Sequence, residues 1–337
     1  MTRDGTIRNI SGKNVLVTGG TGLIGIPLVR KLNKMGAHVR VVSLDEYSPF
    51  GDSVEFIKGD LCDKETCERV VKEMHIVFHL AGIKGGIGVA YSKASTFMLK
   101  NILMNIQIME AARKSRIESF LYTSSICIYP PARVFEESNA FSGLPHPSDR
   151  FGGMSKLIGE MQIEAYKLQY EAKNFLTVRP GNTYGPYDNF NSKSALIIPA
   201  LIYRAVEGEN PLTVWGDGSA VRDFVYADDV ADLMELMVVK NESTPLNAGG
   251  GEPLTIKTVA ETIVKHVATI LGQKIDIRWD TTKPSGEKYR VTSIEQAKVR
   301  LGWSPKVSFG AGIENTVKWY VANKSKLIKR YDIMSED

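Results

Sequence analysis

The chain has 337 residues, 43% hydrophobic and 24% charged, with 42 basic and 38 acidic residues and a formal net charge of +4. This balance excludes a disordered chain, the scattered charges exclude a basic nucleic-acid groove, and no apolar run approaches the ~20 residues that cross a bilayer. Cys62, Cys67 and Cys127 lack paired spacing, and residues 1–13 carry charges without an apolar stretch, so a reduced, cytoplasmic protein without a signal peptide is expected. Along the chain, Val15-Leu16-Val17 reads as a buried strand and residues 22–35 as a helix. Strands follow at 39–44 and 54–57, then a helix at 64–72, a strand at 76–80, a long helix at 96–114 and a strand at 120–124. Apolar strands alternating with helices predict a parallel sheet covered on both faces, and right-handed crossovers make it doubly wound. Past Ser125, Pro130, Pro131, Pro145 and Pro147 punctuate a loop-rich stretch before a helix at 154–170 and a strand at 175–179. Beyond Pro186 the segments shorten, with helices near 195–207, 256–271 and 294–301. The expected architecture is α/β: residues 1–186 form the doubly wound domain, and 187–337 form mainly a smaller C-terminal α/β lobe, with segments interleaved.

The strongest local motif is Thr18-Gly19-Gly20-Thr21-Gly22-Leu23-Ile24-Gly25, between the first strand and first helix. Gly19 permits the tight turn, Gly22 lets a pyrophosphate approach the backbone, and Gly25 allows close helix–strand packing. The helix start, with Leu23 and Ile24, supplies N–H groups to the anion. This is the Rossmann arrangement for a dinucleotide. Asp45 ends the second strand, 20 residues after Gly25. A carboxylate there accepts from both ribose hydroxyls and repels a 2′-phosphate, which favours NAD over NADP; otherwise it is a solvated strand end. Asp60, followed by Leu61, is a candidate for the adenine amine or a turn former. His79-Leu80-Ala81-Gly82 closes the fourth strand, with Leu80, Ala81 and Gly82 as cofactor contacts and His79 read as a packed strand residue. The histidines form no metal-ligand cluster, so no metal is expected.

These residues resemble the extended short-chain dehydrogenase/reductase family of NAD-dependent nucleotide-sugar epimerases, dehydratases and reductases. The resemblance runs from about residue 13 to 319. It rests on the glycine turn, His79-Leu80-Ala81-Gly82, Thr123-Ser124-Ser125, Ser155-Lys156, Arg179-Pro180-Gly181-Asn182 and Trp215-Gly216-Asp217-Gly218 with Arg222-Asp223-Phe224. Lys84-Gly85-Gly86-Ile87, Ser125 with Cys127-Ile128-Tyr129-Pro130, and Lys283-Pro284-Ser285-Gly286 lean towards GDP-fucose synthase and GDP-mannose 3,5-epimerase relatives. The resemblance implies hydride transfer at a sugar carbon, with Ser125 hydrogen-bonding the reacting oxygen and Lys156 holding the nicotinamide ribose. It also assigns Asn101 a structural role, whereas the residue alone reads equally as an exposed helix position. The family's tyrosine belongs four residues before Lys156, where Gly152 stands. Three accounts remain open: an altered sequence with the tyrosine removed, a natural variant using Cys127, Lys193 or a water, or a binding protein that no longer reacts. Cys127 matches the acid/base cysteine of 3,5-epimerising relatives, or is a small packed residue. Lys193 alone is near their second acid/base, and the dehydratase triplet is absent.

For the substrate, the resemblance implies a sugar nucleotide, with GDP as the first expectation. Lys84, Asn182, Arg222, Lys283 and Arg290 are the candidate contacts. A guanidinium at Arg222 grips phosphate oxygens in a planar, two-point fashion. Lys283 and Arg290 either close over the nucleotide or are solvated loop charges. A homodimer is expected through the helices at 96–114 and 154–170.

Overall fold

The computed structural model describes residues 9–46, 48–83, 92–191, 194–283 and 287–327. The Lys84-Gly85-Gly86-Ile87 stretch, Lys193 and Pro284-Ser285-Gly286 lie outside the described residues. In chain order, β1 (Asn14–Thr18), α1 (Gly25–Lys34), β2 (His38–Ser43), β3 (Glu55–Lys58), α2 (Lys64–Val71), β4 (Ile76–His79), α3 (Ala94–Lys114) and β5 (Ser119–Thr123) build the first half. After β6 (Val134–Phe135) come α4 (Arg150–Tyr170), β7 (Phe175–Pro180), β8 (Asn182–Tyr184), α5 (Ile197–Val206), β9 (Leu212–Trp215), β10 (Val221–Arg222) and β11 (Phe224–Tyr226). The chain continues through α6 (Ala227–Lys240), β12 (Leu246–Ala248), β13 (Leu254–Thr255), α7 (Ile256–Leu271), β14 (Ile277–Asp280), β15 (Tyr289–Thr292), α8 (Glu295–Leu301) and α9 (Phe309–Asn323).

Seven strands form one sheet in the order β3-β2-β1-β4-β5-β7-β12, every neighbouring pair parallel. The expected doubly wound α/β sheet is therefore present. Its order reverses between β1 and β4, the crevice where such sheets bind ligands. Strand alternation sends Val15 and Val17 into a core shared with Leu28 and Val29 of α1 and Val230 and Met234 of α6. Leu16 faces the opposite core, with Val70 of α2, Ile108 of α3 and Ile163 of α4. A third core joins Ile202 of α5, Ile263 of α7 and Val317 of α9. It underlies a smaller lobe whose four-stranded sheet runs β13-β10-β15-β6.

The lobes exchange segments across residue 186. Val134 and Phe135 of β6 pair with β15 in the small sheet, while α6 and β12 return to the large one. The helix expected from residue 22 begins at Gly25, because residues 19–24 form the turn that Gly19, at φ +65°, makes possible. The helix expected from residue 154 begins earlier, at Arg150. Gly152 and Gly153 disfavour helix locally, but tertiary contact overrides that preference.

Candidate active site

The glycine turn is built by close approach. A Cβ on Gly19 would lie 2.9 Å from the Cα of Ala81, and one on Gly25 would lie 2.4 Å from the Gly19 carbonyl oxygen. Backbone is thus bare where β1 meets α1, and this cradle fits a pyrophosphate. Leu23 and Ile24 precede the helix within the same turn. Beneath it, Thr18 Oγ1 accepts from the N–H groups of Leu80 and Ala81 at 3.1 and 3.0 Å, tying β1 to the end of β4.

His79 is fully buried, as its reading as a packed residue requires. Burial, reinforced by the Lys156 charge, pushes its pKa down to about 3, so the ring is neutral. Its Nε2 donates to Asn105 Oδ1 at 3.0 Å and its Nδ1 accepts from the Thr18 hydroxyl at 2.8 Å. Asn105 in turn donates to the Tyr122 hydroxyl and the Ser155 carbonyl, so the polar chain from β1 ends on α4. Asn101 is buried rather than exposed. It accepts from the Ile83 N–H at 3.0 Å and donates to the Phe97 carbonyl at 2.8 Å.

Gly82, Asn101 and Lys156 converge. A Cβ on Gly82 would lie 3.4 Å from both Asn101 Oδ1 and Lys156 Nζ. Lys156 Nζ donates to the Thr123 carbonyl at 2.8 Å, at the end of β5. Desolvation pulls its pKa down to about 8, opposed by Cys127 and Glu160. Ser125 and Cys127 are the partly exposed members of the following turn, whose Ile126 and Ile128 are buried. Ser125 Oγ accepts from the Cys127 N–H at 3.1 Å. At Gly152 an added Cβ would meet Phe97 Cε1 at 2.9 Å, so the Phe97 ring fills the place where a tyrosine stem would start.

Thr21 Oγ1 donates to Asp45 Oδ2 at 2.6 Å and lies 2.8 Å from Ser43 Oγ, which accepts from the Asp45 N–H at 3.2 Å. Asp45 is buried against the glycine turn, so its reading as a solvated strand end is corrected. Asp60 is a turn former, accepting from the Cys62 N–H at 2.8 Å, while Asp63 caps α2 by accepting from the Thr66 N–H. Leu61 is packed in the core, and its carbonyl accepts from Cys67 Sγ. Burial pushes the Cys67 thiol up to about 12, which leaves it a packing group.

Of the substrate candidates, Arg222 and Arg290 stand opposite each other on neighbouring strands β10 and β15. Arg222 Nη1 donates to the carbonyls of Val221 and Glu287, both at 2.7 Å. Arg290 pairs with Asp149 at 2.9 Å and Glu287 at 3.3 Å, so its reading as a solvated loop charge is corrected. Asn182 Nδ2 donates to the Asp223 carbonyl, tying β8 to the residue between β10 and β11. Lys283 is exposed, its Nζ 6.0 Å from the ring of Trp215, itself 58% exposed. Lys84 lies outside the described residues. Sequence reasoning missed Phe97, Thr21 and Asp149 as site residues. Thr21 was discoverable from its place in the glycine motif; the others meet their partners only through the fold. No group of three metal-ligating side chains occurs among the described residues, and no described helix is long and apolar enough to cross a membrane.

A family model described as the NAD dependent epimerase/dehydratase family matches residues 15–249. A GDP-L-fucose synthase of Sinorhizobium fredii is 31% identical, over 93% of this chain and 97% of its own length. A UDP-glucose 4-epimerase of Thermotoga maritima, solved with UDP-glucose, superposes with a TM-score of 0.80 at 27% identity, covering 92% of this chain and 99% of that one. A UDP-glucose 4-epimerase of Thermus thermophilus, solved with NAD, gives a TM-score of 0.78 at 28% identity, covering 91% and 99%.

Proposed function

The chain belongs to the NAD dependent epimerase/dehydratase family, an enzyme family of nucleotide-sugar chemistry that includes GDP-L-fucose synthase relatives, and from that premise we propose an NAD-dependent epimerase or oxidoreductase acting at C4 of a GDP-sugar. The observation that carries this reading is Lys156 Nζ, held on the Thr123 carbonyl beside Gly82 and next to the Ser125 turn. Gly19, Gly22 and Gly25 would hold the pyrophosphate, Asp45 the adenine ribose and Lys156 the nicotinamide ribose. When bound, NAD supplies the acceptor and donor of a hydride at the sugar carbon. Ser125 Oγ orients the reacting oxygen. Cys127 Sγ takes and returns the hydroxyl proton that the family's tyrosine would carry, with the Lys156 ammonium as its charged neighbour. Asn182, Arg222, Lys283 and Arg290, with Lys84, supply the polar and cationic groups for the nucleotide. A cytoplasmic enzyme fits this chemistry.

A second reading, a protein that binds both ligands without turnover, is favoured by the Phe97 ring closing on Gly152. Turnover assays with GDP- and UDP-sugars on the wild type, Cys127→Ser and Gly152→Tyr separate the two. We expect wild-type turnover that falls by about 10²–10⁴ in Cys127→Ser, the range of a general acid/base. A rise of that size in Gly152→Tyr instead overturns the role of Cys127. No turnover in any form supports the binding reading.

A further inference from the structure

The first turn of α4 runs on from a 3-10 turn at Pro147–Asp149, whose Pro147 carbonyl accepts from the Arg150 N–H, and its own residues include weak helix formers. It reads Arg150-Phe151-Gly152-Gly153, and glycine is the poorest ordinary helix former. The residue at its N-cap is Asp149, among the best capping residues, yet its side chain makes no capping hydrogen bond. Asp149 Oδ2 instead pairs with Arg290 Nη2 at 2.9 Å, 141 residues away, and both side chains are mostly buried, at 19% and 15% exposure. Arg290 is also paired with Glu287, which lies 3.3 Å from His146 Nε2, and its guanidinium stacks over Phe135 at 5.2 Å. Beside it stands Arg222, whose pKa is lowered by burial and then by the Arg290 charge. Two guanidiniums held together against their mutual repulsion suit one ligand with several negative oxygens better than two separate carboxylates. Lys156 follows seven residues after Asp149, about 10 Å along the helix axis, room for a sugar ring between a phosphate clamp and the lysine.

We propose that Asp149 is a positioning residue that exchanges partners: it neutralises Arg290 until a nucleoside diphosphate takes that guanidinium, and then caps α4. The proposal rests on the reading of Arg222 and Arg290 as the diphosphate clamp. In the first state the N–H groups of Phe151 and Gly152 lack the Asp149 carboxylate as an acceptor. In the second the carboxylate accepts from them and firms the turn that leads to Ser155 and Lys156. Substrate binding in the small lobe is thereby transmitted to the helix that carries the catalytic lysine. Selectivity for a diphosphate follows, because a neutral sugar leaves Arg290 with Asp149.

The test uses the full chain with GDP as probe. Calorimetric titration gives affinity, and hydrogen–deuterium exchange reads the amides of residues 151–153. The side-chain amide introduced by Asp149→Asn still caps but cannot neutralise Arg290. That variant is expected to bind GDP about five-fold more tightly, with slow exchange at 151–153 even without GDP. Asp149→Ala is expected to bind GDP but to show no slowing on binding, while wild type slows only when GDP is present. Equal or weaker GDP binding by Asp149→Asn at unchanged melting temperature overturns the exchange, as does wild-type protection that ignores GDP. Failure of the wild type to bind GDP overturns the clamp reading itself, together with this proposal.

Discussion

Asp45 sits in a closed ring of hydrogen bonds: its N–H donates to Ser43 Oγ, and its Oδ2 accepts from Thr21, whose oxygen lies beside Ser43. The ring ties the end of β2 to the glycine turn and fixes a carboxylate at the edge of the dinucleotide cradle. A fixed carboxylate meets a ribose diol well and a 2′-phosphate badly. Asp45→Ser is therefore expected to weaken NADH binding about ten-fold, the worth of one charge-assisted hydrogen bond, and to strengthen NADPH. Fluorescence titration with both nucleotides checks this, and a wild type that prefers NADPH sinks it. The glycine triplet and Asp45 were candidates in the sequence because each stands at a fixed offset from a strand end, whereas Lys156 was a candidate only through the family resemblance. The ion pair between Asp149 and Arg290 and the packing of Phe97 on Gly152 were not, since only the folded chain sets those partners.

At the scale of elements, α4 shows where local preference yields to packing. Its first turn holds two glycines, which turn a reading of the sequence away from helix until residue 154. The fold needs one of them: a Cβ on Gly153 would lie 2.2 Å from the Cys127 carbonyl oxygen and 2.8 Å from Pro145 Cβ. A side chain here would push α4 off the turn that bears Ser125 and Cys127. In a free helix, Gly→Ala stabilises by roughly 1 kcal/mol. Overpacking against backbone costs about 1–3 kcal/mol and decides the sign. Gly153→Ala is thus expected to lower the melting temperature by several degrees. Gly310→Ala in α9, where a Cβ meets nothing within 4 Å, should leave it level or slightly raised. A calorimetric scan in which both variants behave alike would remove the packing argument. The same contest explains α6 and β12, whose return to the large sheet after a stretch of short segments follows from burial of Val230, Met234 and Leu246 rather than from any nearby signal.

At the scale of the whole molecule, α3 and α4 pack on one face of the large sheet and leave apolar side chains outside. Leu99 and Ile106 are 55% and 40% exposed on α3, and Met161 and Leu168 are 56% and 86% exposed on α4. Each pair is seven residues apart, two helical turns, so each forms a stripe along its helix. Buried positions on these helices, such as Met104, Ile108 and Ile163, already face the core, so the outer stripes have no use in folding the single chain. Exposed apolar stripes of this kind mark interfaces, and two helices per chain make a four-helix contact about a two-fold axis. We therefore expect a homodimer, with α4 carrying Lys156 from its inner side and the interface on its outer side. Ile106→Asp combined with Met161→Glu should yield a monomer that keeps its helical content, because both positions lie outside the core. Light scattering after gel filtration, with circular dichroism as the control for folding, reads both quantities. A wild type of monomeric mass at micromolar concentration, or a double variant that stays dimeric, sinks the assignment of this face.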